Sequence, residues 1–305
     1  IKINFPTKIS DLKHLSKLLK LFCELSKIKS KLKNTTILLN TPIASHFFRL
    51  YFFFSKLNFI YFVHGFRFTP NGKWYKNFFF KSIEKILSFP TQKYITINSF
   101  DYNYVKKEIK KECIKINGVG IDISKRNNFK KKNKKFNILV ISAYKKEKGF
   151  DDLFLIANFF NLKNLNIKFT CFGYGEYKKF KKIITKNKLK NIILNKFNKN
   201  LKNEIKNYTL LFHPSFREGL PVSLMQCLSN GLPVIARNIR GCNDLVKNNF
   251  NGYLFNDNQK AINQIIKLYD NKRLLLKISQ NAFRSITPKY SKAFIVKKIS
   301  AYINE

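Results

Sequence analysis

The feature that most constrains the fold is a repeated alternation of short apolar runs with longer helical patterns. In the first part of the chain the runs are residues 37–39, 59–63, 94–97 and 114–116. In the second part they are residues 136–142, 167–172, 192–194, 210–213, 234–236 and 253–255. Runs this short, each followed by room for a helix, predict parallel strands joined by crossover helices. We therefore expect an α/β fold with two doubly wound parallel sheets.

The domain boundary is predicted from a stretch that has turn residues and no periodicity. Residues 117–122 read Asn-Gly-Val-Gly-Ile-Asp and lead into a segment rich in Lys and Asn that ends at Lys135. We predict a first Rossmann-like domain at residues 1–122, a linker at 123–135 and a second Rossmann-like domain at 136–288. The chain opens with an amphipathic helical pattern at 11–29. From Gln259 onward the pattern is helical, and residues 289–305 are expected to form a helix that returns to the first domain.

The charge balance is strongly basic, with 59 Lys and Arg against 17 Asp and Glu, a net charge of +42. Such a balance is compatible with nucleic acid or with an anionic membrane surface. The basic residues are spread along the whole chain, and the dense run at 130–135 falls in the predicted linker. Lys, Asn, Ile and Phe dominate, which is typical of a genome rich in A and T codons. We expect no nucleic acid as a partner, and an anionic membrane surface remains a candidate.

The cysteines and the apolar segments limit the environment of the chain. Five cysteines are widely spaced without a CxxC or partnering His pattern, which predicts reduced thiols in a cytoplasmic protein and no metal site. The most apolar stretch, residues 47–66, is interrupted by Arg49, Lys56 and His64, so it falls short of the roughly 20 apolar residues that a spanning helix needs. We expect a cytoplasmic location, with peripheral attachment to the inner face of the cytoplasmic membrane as an open alternative.

The most informative block is residues 213–226, His-Pro-Ser-Phe-Arg-Glu-Gly-Leu-Pro-Val-Ser-Leu-Met-Gln. A predicted strand ends at His213, a turn contains Glu218 and Gly219, and the spacing of Leu220 and Leu224 predicts a helix. Backbone N–H groups and the positive dipole end at the start of this helix predict a site for a diphosphate. Gly219 lets that backbone come close to a ligand, and the Glu218 carboxylate can accept hydrogen bonds from sugar hydroxyls.

This block resembles the signature of family 4 retaining glycosyltransferases, especially those that build capsular, O-antigen and exopolysaccharide chains. The family has the GT-B fold, in which two Rossmann-like domains face a cleft. It carries two glutamates with seven residues between them, the first against the donor sugar and the second against the nucleotide ribose. Glu218 matches the first and Gln226 takes the place of the second. An amide can bond ribose hydroxyls but lacks the charge, so we expect weakened or altered donor binding.

The resemblance continues after the first strand of the second domain, in residues 145–151. It implies that Lys148 reaches the donor phosphates and neutralises the leaving group, a role that a metal fills in other transferases. Family members usually carry Arg, and sometimes Glu, at the position of Ala143. Lys145 and Lys146 are candidates to compensate, and the alternative is that they are solvated surface lysines.

Further predicted site residues come from three shorter matches. Gly173 and Gly175 lie in a Phe-Gly-Tyr-Gly-Glu turn, for which a purely structural turn is the alternative. Gly241 lies in a loop for which the alternative is a helix start capped by Asn243 or Asp244. His64, in a His-Gly pair after a strand, is implied to lie against the donor sugar. His14 and His46 receive no role, and His213 is expected to end its strand as a structural residue.

The complete prediction divides the site residues into two groups. The predicted catalytic residues are Glu218, His64 and Lys148, and no residue is predicted to bind a metal. The predicted donor-binding residues are Gly219, Leu220, Pro221, Val222, Gln226, Gly173, Gly175, Ser215 and Gly241.

The implied activity is retaining transfer of a hexose or N-acetylhexosamine from a nucleotide-sugar donor, expected to be UDP-linked, without a cofactor or a metal. The implied acceptor is a lipid-linked glycan or an oligosaccharide in surface polysaccharide synthesis. The resemblance also implies a first domain longer by about two strand–helix units, so we expect that the N-terminal start is missing. Two alternatives remain open: a non-catalytic remnant that binds a donor without releasing sugar, and a basic nucleic-acid-binding protein with strongly salt-dependent binding.

Overall fold

The computed structural model describes residues 23–32, 35–123, 136–198 and 200–305. The chain divides into two compact units, one formed by Ile1–Asn117 with Val296–Glu305 and the other by Gly118–Ile295. The division falls at the start of the turn that precedes the predicted linker, and residues 124–135 of that linker lie outside the described residues. Of the helix predicted at 11–29, only residues 23–29 are described; residues 23–28 are helical.

The first unit contains a four-stranded parallel sheet in which the described strands lie in chain order, β1-β2-β3-β4. Its strands are β1 (Thr36–Leu39), β2 (Asn58–Val63), β3 (Thr91–Thr96) and β4 (Glu112–Lys115), and its helices are α1 (Pro42–Tyr51), α2 (Trp74–Leu87) and α3 (Ser99–Tyr104). A π-helical turn, Val105–Ile109, follows α3, and a 3-10 turn, Lys29–Leu32, precedes β1.

The core of the first unit forms around β2, whose residues after Asn58 are all buried. A continuous apolar run is expected for a parallel strand that is covered on both faces. Beside it, the fully buried guanidinium of Arg49 donates to Glu84 over 2.9 Å and lies 4.3 Å from the centre of the Tyr61 ring. His46 lies 2.7 Å from the other oxygen of Glu84. This buried ion pair ties α1 to α2.

The second unit contains a six-stranded parallel sheet in the order β10-β9-β8-β5-β6-β7. Its strands are β5 (Phe136–Ile141), β6 (Ile167–Gly173), β7 (Ile192–Lys196), β8 (Leu210–His213), β9 (Val234–Arg237) and β10 (Gly252–Phe255). Its helices are α4 (Phe150–Leu162), α5 (Tyr177–Lys186), α6 (Leu201–Glu204), α7 (Val222–Ser229), α8 (Cys242–Leu245), α9 (Asn258–Asp270) and α10 (Lys272–Ser285). The last helix, α11 (Lys292–Asn304), begins in the second unit, and its residues from Val296 onward belong to the first.

The strand order of the second sheet reverses between β5 and β8, which are neighbours. Strands β5, β6 and β7 extend to one side and β8, β9 and β10 to the other. This is the doubly wound arrangement, and ligands bind such sheets outside the carboxyl ends of the strands at the point of reversal. The predicted α/β class with parallel sheets is therefore confirmed, and every predicted strand overlaps an observed one.

The structure also describes the state of the cysteine thiols and the apolar character of the helices. All five cysteines are free, with Cys23 exposed and the other four buried. Burial raises the pKa of the Cys113 thiol to about 11, although a contact with Thr96 opposes the effect. Within the described part of the chain, no helix has the length and apolar character to cross a membrane.

Candidate functional site

The candidate site lies at the reversal point of the second sheet. The loop after β5 runs through residues 142–149 to the start of α4, and the loop after β8 runs through residues 214–221 to the start of α7. Because β5 and β8 are paired in parallel, both loops leave the same edge of the sheet. The backbone N–H of Phe216 donates to the carbonyl oxygen of Glu147 over 3.0 Å, which joins the two loops directly.

An ion pair between Lys148 and Glu218 forms the centre of the site. Lys148 Nζ lies 2.7 Å from Glu218 Oε1 and also donates to the carbonyl oxygen of Arg217 over 3.2 Å. Both side chains are mostly shielded, with 21% of the Lys148 side chain and 17% of the Glu218 side chain exposed. The two residues predicted to contact donor phosphates and donor sugar therefore lie together, although they are distant in sequence.

His213 contributes a second contact to the same carboxylate. It ends β8, its side chain is buried, and its Nε2 atom lies 3.2 Å from Glu218 Oε1. Nε2 forms no regular hydrogen bond within the described residues, so its contact with Glu218 is one of short distance alone. Burial alone raises the pKa of Glu218, but contacts with His213 and Lys148 outweigh it and lower the pKa to about 2. Glu218 is thus ionised at neutral pH and acts only as an acceptor.

Two glycines permit the close approach of loops at this edge. Gly149 has a φ of 75°, and a Cβ atom on it would lie 2.2 Å from the carbonyl oxygen of Pro214. Gly241 has a φ of 79°, and a Cβ atom there would lie 2.0 Å from the carbonyl oxygen of Gly219. A side chain at either position would meet both backbone strain and a backbone clash. Glycine at these positions therefore allows the loops that carry Lys148 and Glu218 to lie against their neighbours.

The predicted donor-binding residues of the block are distributed around the start of α7. Pro221 is the N-cap residue of α7, and Val222 is its first residue. Among the described residues, no side chain caps this helix. The first backbone N–H groups of a helix have no intrahelical acceptor and carry a partial positive charge. Leu220 is buried and Val222 is exposed. Gln226 lies one helical turn further along and is half-buried.

Other predicted residues lie at the same edge of the sheet. Ser215 is buried and donates to the carbonyl oxygen of Arg217 over 3.2 Å. Gly173 ends β6, where a Cβ atom would lie 1.9 Å from the carbonyl oxygen of Ser142. Gly175 forms an isolated bridge with Tyr144. Lys145 and Lys146 are exposed and Ala143 is half-buried.

His64 belongs to the first unit, where it follows β2. Its Nε2 atom lies 2.6 Å from Asn40 Oδ1, and its ring stacks on Phe62 with the ring centres 4.4 Å apart. Burial lowers the pKa of the imidazole, so the ring is neutral at neutral pH. A neutral histidine held by a neighbouring amide is suited to hydrogen bonding with an uncharged hydroxyl group.

Two contacts with Glu218 were not assigned from the sequence. His213 was expected to end its strand as a structural residue, and it does end β8. It also contacts the Glu218 carboxylate, and its position beside the reversal point was the available signal for that contact. Arg240 donates from Nε to the carbonyl oxygen of Glu218 over 3.1 Å and so fixes the backbone of the catalytic candidate. Its partner could not be derived from the sequence, because the contact joins loops after different strands.

A metal site is not found in the part of the chain that the structure describes. No cluster of three or more His, Cys, Asp or Glu side chains there is arranged to hold a metal ion. The charges at the candidate site come from Lys148, Glu218 and nearby arginines.

Comparisons with known proteins connect this geometry to a family. Residues 122–285 match the family described as Glycosyl transferases group 1. Over 112 residues the chain is 34% identical to the UDP-Gal:alpha-D-GlcNAc-diphosphoundecaprenol alpha-1,3-galactosyltransferase of Escherichia coli, a match that covers 36% of this chain and 28% of that protein. Over 275 residues it is 26% identical to an uncharacterized 41.2 kDa protein in the cps region of Klebsiella pneumoniae, covering 85% of this chain and 75% of that protein.

Solved structures support the fold. TarM from S. aureus, solved in complex with UDP, superposes with a TM-score of 0.75 at 19% identity, covering 92% of this chain and 58% of that chain. HepE from Anabaena, in complex with UDP and glucose, gives a TM-score of 0.77 at 16% identity. The superposition covers 95% of this chain and 83% of the HepE chain. The predicted GT-B class is confirmed by these likenesses. The family match covers more than half of the chain and includes Lys148 and Glu218, and the chain therefore belongs to the glycosyl transferases group 1 family.

Proposed function

We propose that this chain transfers a sugar from a nucleotide-diphosphate donor to a hydroxyl group of a glycan, with retention of configuration at the anomeric carbon. The ion pair of Lys148 and Glu218 at the reversal point of the second sheet carries this proposal. It combines a cation suited to phosphate with an ionised acceptor suited to sugar hydroxyls. The same proposal includes membership of family 4, a UDP-linked sugar as the donor and a lipid-linked glycan as the acceptor.

The proposed donor contacts follow from the charge at each position. Lys148 and the first N–H groups of α7 neutralise the diphosphate, and Glu218 accepts hydrogen bonds from the sugar. Gln226 bonds the ribose hydroxyls, and His64 positions the sugar as a neutral hydrogen-bonding group. The names of the galactosyltransferase of Escherichia coli and of the structures solved with UDP support a UDP-linked donor.

In the proposed reaction the bond between the anomeric carbon and the diphosphate oxygen breaks while a bond to the acceptor oxygen forms. The acceptor's hydroxyl proton passes to the departing diphosphate. Negative charge grows on that diphosphate in the transition state, so Lys148 and the dipole of α7 stabilise it where the charge develops. Glu218 is ionised at neutral pH and therefore does not supply a proton.

Sugar transfer is tested by incubating the chain with a panel of nucleotide sugars and a lipid-diphosphate-linked acceptor, and by reading the anomeric configuration of the product by NMR. We expect a product with the configuration of the donor, and a loss of rate of about 100-fold or more in Glu218→Gln. The control is Glu108→Gln, because Glu108 forms an exposed pair with Lys85 and lies in none of the predicted site motifs. A product of inverted configuration would contradict retention.

The same samples distinguish an active transferase from the alternative of a non-catalytic remnant. Donor binding without release of nucleoside diphosphate or sugar in wild type would favour a non-catalytic remnant.

Gln226→Glu restores the carboxylate that the family carries at this position. Tighter donor binding in this variant would support the proposed contact between Gln226 and the ribose. Unchanged donor affinity would show that residue 226 does not contact the donor.

A further inference from the structure

An exposed aromatic face lies on the first unit. It is centred on α2 and continues onto the segments after α2 and α1. We call the following side chains the aromatic face: Trp74, Phe78, Phe79, Ile86, Phe89 and Phe54. Each of them exposes more than half of its surface, from 58% for Phe79 to 93% for Phe54.

The residues of α2 in this face follow the helical period. Trp74 and Phe78 are four residues apart, and Phe79 and Ile86 are seven apart, so they form two adjacent stripes on one side of the helix. Glu84 and Leu87 are buried on the opposite side. The aromatic face is therefore the side of α2 that the rest of the described first unit leaves uncovered.

The face extends beyond the end of the helix. The N–H of Phe89 donates to the carbonyl oxygen of Ile86 over 3.1 Å, which continues the helical turn to Phe89. The ring of Phe53 stacks on Phe89 with centres 5.3 Å apart and meets the ring of Phe54 at 5.1 Å. Aromatic side chains from the ends of two helices therefore form one surface.

The exposed apolar area is large for a protein surface. A buried aromatic side chain covers about 150–250 Å², so five rings that expose more than half of their surface present on the order of 600 Å². The largest apolar patch of a typical soluble protein is roughly 300–600 Å² and is often functional. Water contact with so much aromatic surface is unfavourable, which indicates that a partner covers it.

The charges around the face are basic. Lys73, Lys76 and Lys85 are exposed on α2 or at its start. The acidic residue of α2 is Glu84, which is buried and paired with Arg49. The carboxylate of Glu108 is paired with Lys85 over 3.4 Å. A partner that covers this surface therefore needs apolar groups next to negative charges.

We propose that the aromatic face of the first unit docks on a membrane that contains anionic lipids. Trp, Tyr and Phe prefer the boundary between headgroups and acyl chains, where their rings are buried among acyl carbons. Lysines at the edge of an amphipathic helix pair with anionic headgroups. A bilayer surface thus matches both properties of the face, and α2 lies parallel to it. This inference goes beyond the proposed function, because it requires neither donor binding nor catalysis.

The single tryptophan of the chain provides a local probe of this face, because Trp74 has no other tryptophan to obscure its emission. The full chain is mixed with vesicles of phosphatidylcholine alone or with about 30% phosphatidylglycerol, a content that gives an anionic surface. We expect the Trp74 emission to shift to shorter wavelength with the anionic vesicles, and brominated acyl chains to quench it. With phosphatidylcholine alone we expect a much smaller effect.

Two double variants test the assignment of the surface. Phe78→Ser with Phe89→Ser is expected to weaken vesicle binding at least about tenfold, because the loss of two inserted rings costs more than 1.4 kcal/mol. The matched control is Leu155→Ser with Leu162→Ser, which removes two side chains of the second unit that are 63% and 73% exposed. We expect wild-type vesicle binding in the control and unchanged circular dichroism in both variants.

Three outcomes would overturn the proposal. Vesicle binding without a shift or quenching of Trp74 would place the membrane contact elsewhere on the chain. A shift that depends on protein concentration without vesicles, together with a dimer in sedimentation, would show that a second copy covers the face. No vesicle binding at low salt would rule out the membrane, and a protein partner with acidic and apolar groups would then be the remaining candidate. Each outcome is distinct from failure of the proposed function, since the measurement contains no donor.

Discussion

At the scale of single residues, the ionisation of Glu218 is set by its neighbours and not by its exposure. Desolvation opposes the charged form of a buried carboxylate, yet the folded-state pKa of about 2 lies below the ordinary value of 4.5, with Lys148 and His213 as the cause. The ionised carboxylate therefore stabilises the fold fully above about pH 4.5, and this stabilisation is lost as the pH falls toward 2. The pKa difference corresponds to on the order of 3 kcal/mol.

Glu218→Gln is expected to show this dependence in urea unfolding. The difference in the free energy of unfolding between wild type and the variant should be largest at pH 7 and fall below half of that value by about pH 3. Glu176→Gln is the control and should leave the free energy of unfolding nearly unchanged across this pH range, because its ion pair with Lys179 is exposed and screened by solvent. A difference for Glu218→Gln that stays constant with pH would contradict the assigned pKa.

At the scale of elements, the site depends on loops that approach more closely than side chains permit. Gly149 joins the 3-10 turn Lys146–Lys148 to α4, and its Cβ-free backbone lies against Pro214 in the loop after β8. The chain enters α4 there with a positive φ. The position of Lys148 is therefore coupled to the strand order, since β5 and β8 must be neighbours for these loops to meet.

Gly149→Ala is expected to destabilise the chain by about 1–3 kcal/mol and to weaken donor binding, because the new methyl group clashes with Pro214 and displaces Lys148. Urea unfolding and donor titration measure the two effects. Lys146→Ala, at an exposed position in the same turn, is the control for stability. Wild-type stability and affinity in Gly149→Ala would show that the loops are free to separate.

At the scale of the whole molecule, a net charge of +42 opposes the compact state through repulsion. Raising the salt concentration from about 50 mM to about 500 mM shortens the screening length severalfold, so we expect the thermal midpoint to rise. The buried pair of Arg49 and Glu84 is screened much less and should not reverse this direction. Thermal unfolding followed by circular dichroism measures the effect, and a falling midpoint would show that attractive surface pairs outweigh the repulsion.

The strands were predictable from the sequence because they depend on local patterns. Lys148 and Glu218 were singled out by a family resemblance, and their roles stay predictions. Continuous apolar runs such as residues 210–213 became buried parallel strands, and the turn that contains Glu218 follows one of them. The pairing of β5 with β8 was not predictable, because strand order depends on packing between distant segments. The contact of His213 with Glu218 and the exposure of the aromatic face on α2 depend on that same packing.

The most direct test of the central claim is calorimetric titration of the full chain with a panel of nucleotide sugars at moderate salt, in wild type, Lys148→Ala and Glu218→Gln. Lys85→Ala is the matched control, because it removes a lysine from an exposed pair with Glu108 in the first unit. We predict affinity for one donor in the micromolar range, a loss of about 10- to 100-fold in the two site variants and no change in the control. Wild-type affinity in both site variants, or no binding of any donor by a folded chain, would contradict the assignment of the donor site to Lys148 and Glu218.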